Sequence, residues 1–130
     1  MALLAGYVRI LRALAPIPLA EFTADPRNYG SAERFLQLAI ETTLSIGHHV
    51  LADDGFAQPR SHAEVYAVLG REGVLEPAFA AEITPMARMR SRLVHHYEDI
   101  AAERVHEILA TRLGDFDRFA GQVLRYADRS

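Results

Sequence analysis

Apolar residues recur at helical spacing along almost the whole chain, and no segment alternates convincingly as a strand would. Leu3, Leu4, Tyr7, Val8, Leu11 and Leu14 mark a first helix, which Pro16 and Pro18 end. Ala20–Ala24 reads as a short turn. Asp25-Pro26 supplies a cap and a first helical position for a long helix from about Arg27 to Ala52, with Gly30 the one residue that would delay its regular part. This helix carries Phe35, Leu36, Leu38, Ala39, Ile40, Leu44, Ile46, Val50 and Leu51, so it is apolar around much of its circumference. Helices of that kind are usually buried on two sides, and in a chain this small the second side is a candidate subunit interface.

Asp53-Asp54-Gly55 closes the long helix, and a loop follows to Pro59. Ser61-His62-Ala63-Glu64 has the form of a capping box and predicts a helix over His62–Arg71, with Gly73 as its stop. Leu75–Tyr97 is a fourth element containing Thr84-Pro85, which is either a kink or a fresh N-cap and first position. The last element starts near Ile100, with Asp99 as its cap. Val105, Ile108, Leu109, Phe116, Phe119, Val123 and Leu124 form its apolar stripe, and Gly114-Asp115 breaks or bends it. The pattern predicts an all-α, up-and-down bundle of four to five helices, formed as one domain over residues 1–130.

Composition narrows the function. Apolar residues make up 50% of the 130 residues and charged residues 24%, which describes a globular chain with a real core. Absent cysteines exclude disulfides and thiolate metal sites, and suit a reducing compartment. A net charge of -3 argues against a protein coated in nucleic acid along its length, though not against a local basic cleft. Arg9 and Arg12 interrupt the apolar N-terminal stretch, and no run of 18 uncharged apolar residues occurs. No signal peptide, no membrane span and a cytoplasmic location are therefore the expectations.

Against that plain background one segment stands out: Arg90-Ser91-Arg92-Leu93-Val94-His95-His96-Tyr97, preceded by Arg88. Arg88 and Arg92 are four apart, a like-charge pairing that costs about 0.2–0.5 kcal/mol on a helix. An anion would make the arrangement useful. Arg90 offers a fixed charge and five donors for a phosphate or a phosphorane-like transition state. His95 has the chemistry to accept or return a proton at a ribose hydroxyl. Residue types alone nonetheless favour a solvated helix face. On a regular helix, Arg90 and Tyr97 share a face about 10 Å apart, whereas His95 lies about 140° from Arg90. A bend near Val94–Tyr97, or a second subunit, is needed to bring all three together.

Elsewhere the signals are weak. His48 and His49 are adjacent, point in different directions and lack the spacing of a metal pair, so no metal site and no cofactor are expected. His62 belongs to a helix N-terminus and His106 to a helix flank. Glu33-Arg34 is a local charge pair or a structural anchor. Neither a glycine-rich phosphate loop nor a G-x-S-x-G elbow is present.

Arg90, four residues, His95, one residue, Tyr97 resembles the motif of the HepT-like toxins, a branch of the HEPN superfamily. The likeness extends to Asn28–Glu41, to Ile46-Gly47-His48-His49 and Gly73-Val74-Leu75, and to Met86-Ala87 and Tyr97-Glu98-Asp99-Ile100 on either side of the motif. The resemblance implies a homodimeric helical bundle acting as a metal-independent endoribonuclease, with the paired motifs lining a cleft between subunits. It implies Arg90 and His95 as catalytic residues and Tyr97 as the site of AMP transfer by a partner, an MNT-type minimal nucleotidyltransferase antitoxin. Arg88, Ser91 and Arg92 are the candidate contacts to RNA phosphates. Ser91 departs from the Asn frequent in the family, Arg92 stands where many relatives are apolar, and Pro85 is unusual before the motif. The alternative is a non-catalytic HEPN module that pairs with a nucleotidyltransferase and binds nucleotide or substrate.

Overall fold

A computed structural model describes residues 1–95 and 101–129 of the chain, His95 by its backbone alone. The described residues are helical, without a strand: α1 (Ala2–Leu14), α2 (Leu19–Ala24), α3 (Pro26–Asp53), α4 (His62–Arg71), α5 (Pro77–Ile83), α6 (Pro85–His95), α7 (Ala102–Thr111) and α8 (Gly114–Arg129). The all-α reading holds, but the elements are more finely divided than the periodicity suggests. Ala20–Ala24 lies within the short helix α2, and both later segments split in two.

Local chemistry explains most boundaries. The Asp25 side chain accepts the Arg27 backbone N–H at 2.9 Å with Pro26 in the first turn, and α3 then runs straight through Gly30. At its far end the Phe56 N–H reaches back to the Leu51 carbonyl at 2.9 Å. Gly73, at φ 79, allows Val74 N–H to close α4 onto the Leu69 carbonyl at 2.9 Å. The capping box does not form in its reciprocal pattern. Ser61 is the N-cap without a side-chain bond, while Glu64 accepts the N–H of Arg60 instead of that of Ser61. Thr84-Pro85 is closer to a kink than to a fresh cap: Thr84 stays in the right-handed helical region and its hydroxyl donates back to Ala80 O at 2.7 Å. α7 starts at Ala102 with Ala101 as its cap position, later than the start predicted near Ile100. The capping role expected of Asp99 lies outside the described residues. α7 and α8 divide at Gly114, where the expected break falls.

The core is built around α3, which touches α1, α2, α4, α6, α7 and α8. Leu36, Ile40, Leu44 and Leu51 form its buried face and share one core with Phe22, Tyr66, Phe79, Phe116 and Phe119 from other helices. Each such side chain contributes about 1.5–3 kcal/mol by leaving water. The two-sided apolar character of α3 is largely met within the chain: Phe35 packs beside Tyr7 of α1, and α4 and α6 cover another flank. α3 and α4 approach so closely that a Cβ on Gly47 would lie 2.7 Å from Val65 Cγ1. Leu3 and Leu124 depart from their stripes, at 60% and 51% exposed.

Polar ties join the outer helices. Arg12 pairs with Asp117 between α1 and α8. The buried Gln122 accepts the N–H of Glu76 at 2.9 Å and so caps α5 from α8. Arg118 lies over the Phe79 ring at 4.4 Å and bonds Glu82 at 2.9 Å. Burial pushes the Asp115 carboxyl above the usual carboxylate range, although Arg112 Nη2 lies 2.7 Å from Oδ2. His106 donates from Nε2 to the Ile17 carbonyl at 2.7 Å, because that acceptor has no proton to give. This bond ties α7 to the α1–α2 turn. No helix among the described residues is long and apolar enough to cross a membrane.

Inside the core, Thr43 donates to Ile40 O at 2.7 Å, so the Tyr66 hydroxyl, 2.6 Å away, must donate to Thr43. Burial raises the pKa of Tyr66, which stays protonated in that role. Tyr66→Phe leaves the Thr43 oxygen short of its donor in a dry site. The expected loss is about 1–2 kcal/mol of unfolding free energy in urea, with an unchanged m-value.

Candidate functional site

Helix α6 presents its arginines in two opposed directions. Met86, Ala87, Met89 and Leu93 are buried, and Arg90 belongs to the same side, its side chain only 21% exposed. Arg88 and Arg92 lie about 160° from Arg90 around the helix and are exposed, as is Ser91. Within the chain the three arginines therefore form no common patch. The spacing of two explains this, because alternate residues on a helix point about 200° apart.

Arg90 is fixed by α3. Its Nε and Nη2 both lie 3.1 Å from Glu41 Oε1, and Gln37, one turn earlier, donates to the same oxygen at 3.1 Å. Glu41 is 33% exposed, so the ion pair sits in a half-buried setting where it orients the guanidinium while partly balancing its charge. The remaining N–H groups of Arg90 have no partner among the described residues.

The pair stands in the wall of a groove of about 530 Å³. Glu41, Ser45, His48 and Ala52 follow one another at helical spacing along α3 and form one side, with Leu44 and His49 at its edges. Gln58 and His62 close it from the loop after α3 and the start of α4. His48 Nδ1 lies 2.9 Å from Gln58 Oε1, and the rings of His48 and His62 meet edge to face with centroids 6.2 Å apart. His48 and His49 do point differently, yet the groove is wide enough to take both. Among the described residues, no group of three or more His, Cys, Asp or Glu converges as metal ligands.

His95 is the last residue of α6, and the helix is regular up to it, so its backbone position is about 140° round from Arg90. Tyr97 and most of the expected bend near Val94–Tyr97 lie outside the described residues. Glu33 and Arg34 form no ion pair with each other; burial alone pushes the Glu33 carboxyl up. Sequence reasoning did not find Glu41, Gln58 or His62 as neighbours of Arg90. The stripe at 41, 45, 48 and 52 is a signal visible in the sequence. Gln58 and His62 reach the groove only through the path of the α3–α4 loop.

The chain as a whole is similar to known proteins. The model of the ribonuclease HepT-like family matches residues 4–123. A relative, the tRNA nuclease HepT of Aphanizomenon flos-aquae (strain 2012/KM1/D3), is 26% identical over 126 residues, covering 97% of this chain and 86% of its own length.

The two directions of the arginines are separable by stability. Glu41→Gln weakens the hold on Arg90 and is expected to cost about 1 kcal/mol, or about 3–5 °C in Tm. Arg88→Gln and Arg92→Gln are expected to leave Tm unchanged or slightly raised, since each relieves the exposed like-charge pair. Thermal melts followed by circular dichroism check both.

Proposed function

This chain belongs to the ribonuclease HepT-like family, and from that premise we propose that it is a metal-independent endoribonuclease, the toxin of a type VII-like toxin–antitoxin pair. The observation that carries the reading is Arg90: a half-buried guanidinium, held by Glu41 at the wall of a groove, with N–H groups that have no partner among the described residues. A half-buried, oriented arginine suits a phosphodiester, whose charge rises toward the phosphorane.

In the proposed reaction His95 takes the proton from a ribose 2′-hydroxyl, and that oxygen attacks the adjacent phosphorus. The 5′-oxygen leaves with a proton returned by an imidazole, from the same or the second subunit. The products are a 2′,3′-cyclic phosphate and a 5′-hydroxyl. A homodimer gathers two motifs about one cleft, which answers the angular separation of positions 90 and 95. Arg88, Ser91 and Arg92, turned away from Arg90, serve RNA phosphates outside the groove. In this reading residues 1–130 form one HEPN-type domain that acts in the cytoplasm. The relative named for tRNA cleavage makes tRNA the first substrate to try.

Regulation follows the same chemistry. The proposed antitoxin, an MNT-type minimal nucleotidyltransferase, transfers AMP to Tyr97. Each transfer adds a phosphate near the arginines, lowering the positive potential that draws RNA and occupying space beside it.

The test is cleavage of end-labelled tRNA in excess EDTA. Wild type is expected to cut and leave cyclic-phosphate ends, whereas His95→Ala loses at least about 100-fold in rate. Abolition by EDTA would sink the metal-free mechanism, and equal inertness of both proteins would favour the binding-module alternative. For the modification, intact mass after co-expression with the antitoxin is expected to rise in AMP steps that vanish in Tyr97→Phe. A shift persisting in that variant rules Tyr97 out.

A further inference from the structure

The groove beside Arg90 is larger than one phosphate needs, and its lining changes character along its length. Arg90 is its single permanent cation among the described residues, and Glu41 partly balances that charge. Beyond this end the walls are the apolar Leu44 and Ala52, the hydroxyl of Ser45, the imidazoles of His48, His49 and His62, and the carboxamide of Gln58. None of these carries a permanent charge, so they suit a long polyanion poorly. They suit a planar heterocycle, which stacks on apolar or aromatic surface and offers donors and acceptors at its edge. A volume of about 530 Å³ falls within the range of small-ligand clefts.

The polar side is already organised. Gln58 is held by His48 Nδ1 at 2.9 Å and donates to the His48 carbonyl at 3.4 Å, so its amide is bound to α3 although it sits on a loop. His48 is in turn packed edge to face with His62. Along α3, His48 stands seven residues beyond Glu41, about 10 Å. That places the imidazoles on the groove wall well beyond the guanidinium, where a nucleoside can extend from a phosphate at Arg90.

We infer that this groove is a nucleobase subsite: it takes one unpaired base of the RNA strand whose neighbouring phosphate lies on Arg90. The inference rests on the ribonuclease reading and adds to it a preference for single-stranded RNA, because a base in a helix cannot enter the groove. Gln58, His48 and His62 are binding residues in this assignment, distinct from the pair Arg90 and His95.

Fluorescence anisotropy with 2′-O-methyl oligonucleotides, which cannot undergo 2′-hydroxyl attack, tests it without requiring turnover. An abasic sugar is walked along the strand. Wild type is expected to show one position where losing the base weakens binding roughly five- to fifty-fold. Gln58→Ala and His62→Ala, both at exposed side chains, are expected to bind the intact strand more weakly and to lose that position-specific penalty. An equal penalty in wild type and variants, or no penalty at any position, overturns the subsite. Cleavage of normal RNA by wild type with no base dependence removes the subsite alone and leaves the ribonuclease reading standing. Absence of both binding and cleavage removes both.

Discussion

The rest of the molecule depends on the need to cover a 28-residue helix from several directions at once. α3 is too apolar around its circumference to be served by one neighbour, so the other helices gather about it. Its core face meets the buried aromatics of α2, α4 and α8, and Phe35 meets Tyr7 of α1. What escapes coverage is one stripe through Glu41, Ser45, His48 and Ala52. The groove is thus a consequence of packing: it is the strip of α3 that the bundle leaves open, roofed at one end by α6 and at the other by the α3–α4 loop.

That origin explains why Arg90 is so well oriented. A long cationic side chain on a surface helix normally samples many rotamers and pays entropy to hold one. Here α6 packs on α3, the Arg90 stem lies on the buried side, and Glu41 with Gln37 fixes the head. The same rotation of α6 sends Arg88 and Arg92 into solvent. One charge is therefore held at the groove by Glu41 while two face solvent.

Much of this was readable in advance, and the failures have definite physical causes. Asp25-Pro26, Gly73 and Gly114 act where turn chemistry says they should, because caps and breaks depend on a few adjacent residues. Leu3 and Leu124 broke the pattern because periodicity marks a face without saying whether a neighbour reaches its edge. The capping box did not form: Ser61 makes no side-chain cap bond, and Glu64 accepts the Arg60 N–H instead. Thr84-Pro85 was ambiguous for a related reason. Proline removes one donor, but whether the chain bends or restarts depends on how α5 and α6 pack.

By itself the sequence determined the helical class and the position of the long helix, since these follow from periodicity and cap chemistry. It also identified the family through the motif and its flanks, and residues 4–123 match that family. Only the tertiary structure decided that Arg90 pairs with Glu41, 49 positions earlier in the chain, and turns away from Arg88 and Arg92. It alone joined Gln58 and His62 to the stripe on α3. The physical reason is that a helix specifies which residues share a face, whereas the partner of that face is chosen by the packing of the whole chain.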